Sequence, residues 1–133
     1  MRKLLFLALM LVVPLTASAQ DTYPPGTVLV VAPTQYPFAG VEIGGDFSGS
    51  VVVETSLIQT MAVARQNPNI QGVIDVIIDA ESLYERGSVT CYATNGKKQW
   101  VEKVMFNMGG GAAKIAEKFS ARLAEKVRGK TCP

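Results

Sequence analysis

Apolar and polar positions follow several distinct periods along this chain, and each period predicts an element. The first is no period at all. Every residue from Leu4 to Val13 is apolar, with Arg2 and Lys3 before the run, Pro14 after it and Ala17-Ser18-Ala19 beyond. A charged start, an apolar stretch and small residues at alternate positions make a secretory signal peptide over residues 1–19, cut between Ala19 and Gln20. The run falls short of the about 20 apolar residues that span a bilayer. Gln20 and Asp21, not Cys, follow the cut, so no lipid-anchoring thiol stands there.

The next segment, residues 20–26, holds Tyr23-Pro24-Pro25-Gly26 and reads as a linker. Thr27 to Ala32 is a β-branched apolar run between Gly26 and Pro33, the pattern of a buried strand. Residues 33–49 carry Pro33, Pro37, Gly40, Gly44, Gly45 and Gly49, and read as a long loop. Such loops are uncommon in small domains and tend to be functional. Residues 50–66 carry two signals. Val51, Val52 and Val53 favour strand, whereas Leu57, Met61 and Ala64 share one helical face. A helix centred on residues 55–66 is the expectation, ended by Asn67-Pro68-Asn69.

Alternation then takes over. Ile74, Val76 and Ile78 alternate with Asp75, Ile77 and Asp79, which predicts a strand with one face buried and both aspartates on the less buried side. Asn95-Gly96 stands between two further strand-like runs and predicts a two-residue type I′ hairpin. That turn would set Thr94 opposite Lys97, Tyr92 opposite Gln99 and Cys91 opposite Trp100. Val89, Cys91, Ala93, Trp100 and Val104 then share the core face. Glu102 falls on that face too, which an exposed sheet margin or a bulge would explain. After Gly109-Gly110-Gly111, a connector, Ile115, Phe119, Leu123 and Val127 recur every four residues. This is an amphipathic helix over about residues 112–128, with Lys126, Arg128 and Lys130 at the dipole's negative end.

These elements predict a single α+β domain over residues 27–133. It would have two layers: a mainly antiparallel sheet of about four strands, packed by two helices, the longer one C-terminal.

Charge adds an asymmetry. Without Arg2 and Lys3 the chain has 11 basic and 11 acidic side chains. Residues 20–95 hold eight acids and two bases, and residues 96–133 hold nine bases and three acids. Folding can mix these charges on one surface. They can also form a basic face for anionic lipid or glycan, with Lys97, Lys98 and Lys103 as the candidate contacts. Cys91 and Cys132 are the only cysteines. Export makes one disulfide between them the expectation.

Candidate chemistry is sparse. The chain has no histidine, which removes the usual nucleophilic triads, the commonest general base and the commonest metal ligand. No metal site or cofactor is implied. Asp75, Asp79 and Glu81 are the remaining candidates for a histidine-free hydrolase, against a structural role on a strand. Gly129-Lys130-Thr131 ends like a phosphate-binding loop, but Ala124 stands where the first glycine is needed. Trp100 reads as core.

TVLVVAP, GVIDVIID, TNGKKQW and the Gly-rich step into the last helix together resemble a bacterial envelope superfamily. Its members include the curli-secretion lipoprotein, the outer-membrane activators of peptidoglycan synthases and the amino-terminal domain of TolB. The resemblance covers about residues 27–128, and Thr94, Gly96, Lys97 and Trp100 approximate its T-G-K-x-x-W stretch. It implies a periplasmic accessory module with no catalysis of its own. No functional residue carries over, and the lipid-attachment Cys of many relatives is absent. The expectation is therefore an exported protein, periplasmic or secreted, that binds an envelope protein partner through a sheet edge or the 33–49 loop. Nucleic acid and membrane insertion are not expected.

Overall fold

The computed structural model describes residues 23–82, 84–105 and 110–133. The expected leader, its cut between Ala19 and Gln20, and Gly109 of the connector lie outside the described residues.

The chain runs β1 (Thr27–Val31), α1 (Pro37–Gly44), β2 (Ser50–Val53), α2 (Leu57–Gln66), β3 (Ile70–Asp79), β4 (Arg86–Ala93), β5 (Lys98–Met105) and α3 (Ala112–Val127). The five strands form one sheet in the order β2-β1-β3-β4-β5. β1 lies parallel to both β2 and β3, and β3, β4 and β5 form an antiparallel meander. The α+β class is as expected. The expectation of about four, mainly antiparallel, strands and two helices is corrected to a mixed sheet of five strands with three helices.

Two local features account for the difference. About half of the expected 33–49 loop is helix α1. Pro37 opens it, where a missing N–H costs nothing and a fixed φ suits the first turn. Gly40 and Gly44 do not break it; they let it lie against the sheet. A Cβ on Gly40 would stand 2.6 Å from the Cβ of Ala32, and one on Gly44 would stand 3.3 Å from Val30 Cγ2. The second feature lies in residues 50–66, where both signals hold. Ser50–Val53 is a strand on β1, and α2 follows, capped by the Ser56 hydroxyl accepting the Gln59 N–H at 3.2 Å.

The parallel half explains the layering. From β1 the chain crosses outward to β2, then returns past β1 to β3. Right-handed crossovers moving in opposite directions put their helices on opposite faces. Accordingly, Ala39 and Ile43 of α1 join Phe119, Leu123 and Val127 of α3 over Val28, Val30, Ile74, Val76, Val89 and Cys91. Met61 and Ala64 of α2 cover Leu29, Val31, Ile70 and Val73 on the other face. Glu42 and Ser120 tie α1 to α3, the hydroxyl donating at 2.8 Å.

The hairpin keeps its expected pairing by a different route. Cys91 pairs with Trp100, but Tyr92 pairs with Lys98, not Gln99. Asn95 has a negative φ and Gly96 a φ of 90°. A type I′ turn needs positive φ at both residues. The turn is instead a three-residue loop, with Ala93 N–H on the Lys97 carbonyl and Gly96 N–H on the Ala93 carbonyl, both 2.9 Å. It shifts the register by one residue, and a bulge at Gln99 shifts it back. Every strand pair from Cys91 to Arg86 therefore faces as the sequence implied.

Cys91 and Cys132 form the expected disulfide, with Cα atoms 5.7 Å apart. The bridge lays the last residues across the sheet. Gln71 donates to the carbonyls of Cys132 and Pro133, at 3.3 and 2.9 Å, and the Trp100 indole N–H donates to the Thr131 carbonyl at 2.9 Å. Trp100 also stacks on Phe47 with ring centroids 6.1 Å apart, so it is part of the core margin. Glu102 sits at the sheet margin and meets Lys130 at 3.7 Å, which explains a carboxylate on the helix-covered face. Among the described residues, no helix is long and apolar enough to cross a membrane.

Candidate functional site

α2 is shorter than the face it covers. The register puts Asp75, Ile77 and Asp79 of β3, Thr90, Ser88 and Arg86 of β4, and Val101, Lys103 and Met105 of β5 on one face. The core cluster under α2 takes in none of these nine. Ile77, Val101 and Met105 are 49%, 37% and 66% exposed. β5 also ends the sheet, so alternate backbone N–H and C=O groups along its eight residues have no neighbouring strand among the described residues. The opposite edge, β2, is only four residues long.

Beside the β5 edge, Lys103 meets the end of α3. Lys103, Arg122 and Lys126 line a groove of about 540 Å³, with Glu125 the only acid on its wall. Lys114, Lys118, Arg122 and Lys126 follow each other at four-residue spacing, so one helix stripe points this charge the same way. That spacing is visible in the sequence, where only Lys126 of the four was read, as a partner of the helix dipole. The expected basic trio is placed differently. Lys97 and Lys98 lie at the hairpin end of β5, and Lys103 lies about 17 Å further along at strand rise. The structure groups Lys103 with α3 instead.

A second concavity opens at the carboxyl ends of the parallel strands. β1 leads into Ala32-Pro33-Thr34-Gln35, β2 into Glu54-Thr55-Ser56, and β3 supplies Asp75–Ile78; together they line an open crevice of about 620 Å³. The crossovers from β1 and β2 leave to opposite sides here, so this is a topological switch point, where open α/β sheets hold ligands. Sequence reasoning missed Thr34 and Glu54 because it did not foresee the parallel strands that bring them together.

The three acidic candidates have separate fates. Asp75 shares the less buried face of β3 with Ile77 and Asp79 but is itself only 8% exposed. Burial pushes its carboxyl pKa up. Asp79 Oδ1 accepts N–H bonds from Ser82 at 3.2 Å and Glu81 at 3.3 Å, and its bonding to Ser82 holds its pKa down. Glu81 is exposed and faces Tyr36, whose hydroxyl approaches Oε1 at 3.5 Å. Burial, and then Glu81, push the Tyr36 pKa up. Asp75 and Asp79 are four residues apart on one strand, about 13 Å at strand rise, too far for a hydrolytic carboxylate pair at about 5–9.5 Å. The described residues hold no cluster of three or more metal-ligating side chains.

Comparison with protein-family models, with curated proteins and with solved structures returns no match.

Proposed function

We propose that this chain is an exported, non-catalytic interaction module of the bacterial cell envelope that binds an extended polypeptide along β5. The observation that carries the reading is the eight-residue edge of β5, unpaired among the described residues and bordered by exposed Val101 and Met105. A strand added there gains main-chain hydrogen bonds, and alternate side chains reach the uncovered face. The groove formed by Lys103, Arg122 and Lys126 favours an acidic partner. The leader-like start and the disulfide support a compartment outside the cytoplasm, periplasmic or secreted. The resemblance to envelope accessory proteins supports the same class.

The test is a photo-crosslinking residue at Met105 in native envelopes, with Ile58, exposed on α2, as the control position. One protein captured at Met105 and absent at Ile58 is the expected result. Lys103→Glu with Val101→Glu should remove that capture while leaving the fold intact. Equal capture at both positions, or none at Met105, sinks the reading.

One observation favours a second reading, the binding of anionic lipid or glycan. It is the same basic groove, which differs from the trio Lys97, Lys98 and Lys103 by sharing only Lys103. It predicts sedimentation with anionic vesicles that weakens steeply with salt and is lost on Arg122→Glu with Lys126→Glu.

A further inference from the structure

The uncovered face and the switch-point crevice meet at Asp75. Its side chain is more than nine-tenths buried, yet its carboxylate has no hydrogen-bond or ion-pair partner among the described residues. Thr90, directly opposite on β4, is equally enclosed and its hydroxyl likewise lacks a partner there. No side-chain oxygen or nitrogen in the described residues is both sealed from solvent and unpartnered. The oxygens of Asp75 therefore keep some contact with solvent, and Asp75 is among the residues that line the crevice. Buried carboxylates are ordinarily paired, because an unpaired one forfeits its hydration with nothing in return.

The rest of the lining says what would pair it. Thr34, Thr55, Ser56 and Gln35 offer hydroxyl and amide groups, Glu54 adds a second carboxylate, and no lysine or arginine contributes. Two carboxylates without a cation disfavour phosphate or another anion, even though the capped start of α2 lies here. The described residues hold no cluster of three or more His, Cys, Asp or Glu side chains that could ligate a metal ion. The volume of about 620 Å³ matches a small organic ligand.

We propose that this crevice binds a small organic cation, a hydroxylated molecule with a protonated amine, whose ammonium group pairs with Asp75 and whose hydroxyls reach Thr34 and Thr55. The site is separate from the β5 margin and does not rest on the partner-binding reading. Burial alone keeps Asp75 protonated to higher pH than an ordinary aspartate, and an ammonium group beside it reverses that tendency.

The test uses the full mature chain and ethanolamine, a probe small enough that shape does not exclude it. Ethylene glycol is the uncharged control and inorganic phosphate the anionic one. Amide shifts are followed by NMR at residues 32, 34, 35, 54–56 and 75–78, together with the carboxyl carbon of Asp75 across a pH series. The expected result is saturable shifts confined to those segments with ethanolamine alone, and an Asp75 titration that moves to lower pH when the probe is present. Asp75→Asn should weaken binding of the probe at least about tenfold, since a charged partner is lost. Equal shifts with ethylene glycol, stronger shifts with phosphate, or no shift at tens of millimolar ethanolamine overturn the proposal. So does an Asp75 titration unmoved by the probe, which is read on the unmutated protein and needs no variant to fold.

Discussion

Gly40→Ala separates the fold seen here from a helix that merely forms in a loop. At an ordinary helix position alanine stabilises by about 1 kcal/mol over glycine, because glycine has more backbone freedom to lose. Here the new methyl would stand 2.6 Å from Ala32 Cβ, 3.2 Å from Ala32 Cα and 3.2 Å from Val52 Cγ1. Carbon atoms pack at about 3.5–4.0 Å. Val52 can turn aside, but Ala32 has no rotamer to change, so α1 must lift from the sheet. Ala39 and Ile43, which are fully buried, would lift with it. Overpacking costs about 1–3 kcal/mol, and a 2.6 Å contact with an atom that cannot turn aside puts this case at about 2–3 kcal/mol. Even after the helix gain, the variant should be less stable by about 1–2 kcal/mol. Urea unfolding followed by circular dichroism reads this as a lower midpoint at unchanged slope. Gly45→Ala is the control. Gly45 has a φ of −60°, and its methyl would approach carbonyl oxygens only to 3.4 Å, so it should be neutral or slightly stabilising. Adding Ala32→Gly to Gly40→Ala should recover most of the loss by restoring the space. If Gly40→Ala is as stable as the native chain, or more so, the close seating of α1 on β1 and β2 is wrong.

Two further outcomes follow from the same structure. Replacing Cys91 and Cys132 together by alanine should cost about 4 kcal/mol by loop entropy, given their separation of 41 residues. The loss is read by urea unfolding, and hydrogen exchange should show the Trp100 indole N–H released from Thr131. Asp75→Asn should raise stability at neutral pH, and the gain should vanish in acid. The native Asp75 pKa is raised by burial, so the native state keeps its proton while the unfolded chain has lost it. Native stability therefore falls as pH rises from the ordinary aspartate range to the folded pKa, by about 1.4 kcal/mol for each pH unit between the two. Asparagine does not titrate and escapes that fall. A gain that is the same at every pH would refute burial as the cause.

Both proposed contact regions exist because a helix stops short. α2 ends its cover near Leu29, Val31 and Val73, which leaves Ile77, Val101 and Met105 exposed among the described residues and places Asp75 at the boundary. An edge strand of this length is normally guarded by charge, and Lys98, Glu102 and Lys103 provide some. The apolar side chains between them keep the edge competent for a partner.

What the sequence by itself determined was local. The alternation in β3, the turn residues at Asn95-Gly96 and the four-residue stripe in α3 depend on neighbours a few positions away, so they can be read without the fold. The disulfide was also legible, because two cysteines leave one pairing. Even the register survived a wrong turn type, since the buried face of β4 and β5 accepts only one alignment and a bulge at Gln99 restores it. Tertiary structure decided the rest. Pro37, Gly40 and Gly44 read as loop until β1 and β2 offer a surface on which a helix lacking side chains at its two glycines can lie. The parallel pairing of Val28 with both Ser50 and Gly72 joins distant segments, and no local period announces it. Asp75 shows the limit most plainly. Its alternation is the same whether it faces water or a crevice, and only the position of α2 and the strands beside it sets the dielectric around its carboxylate.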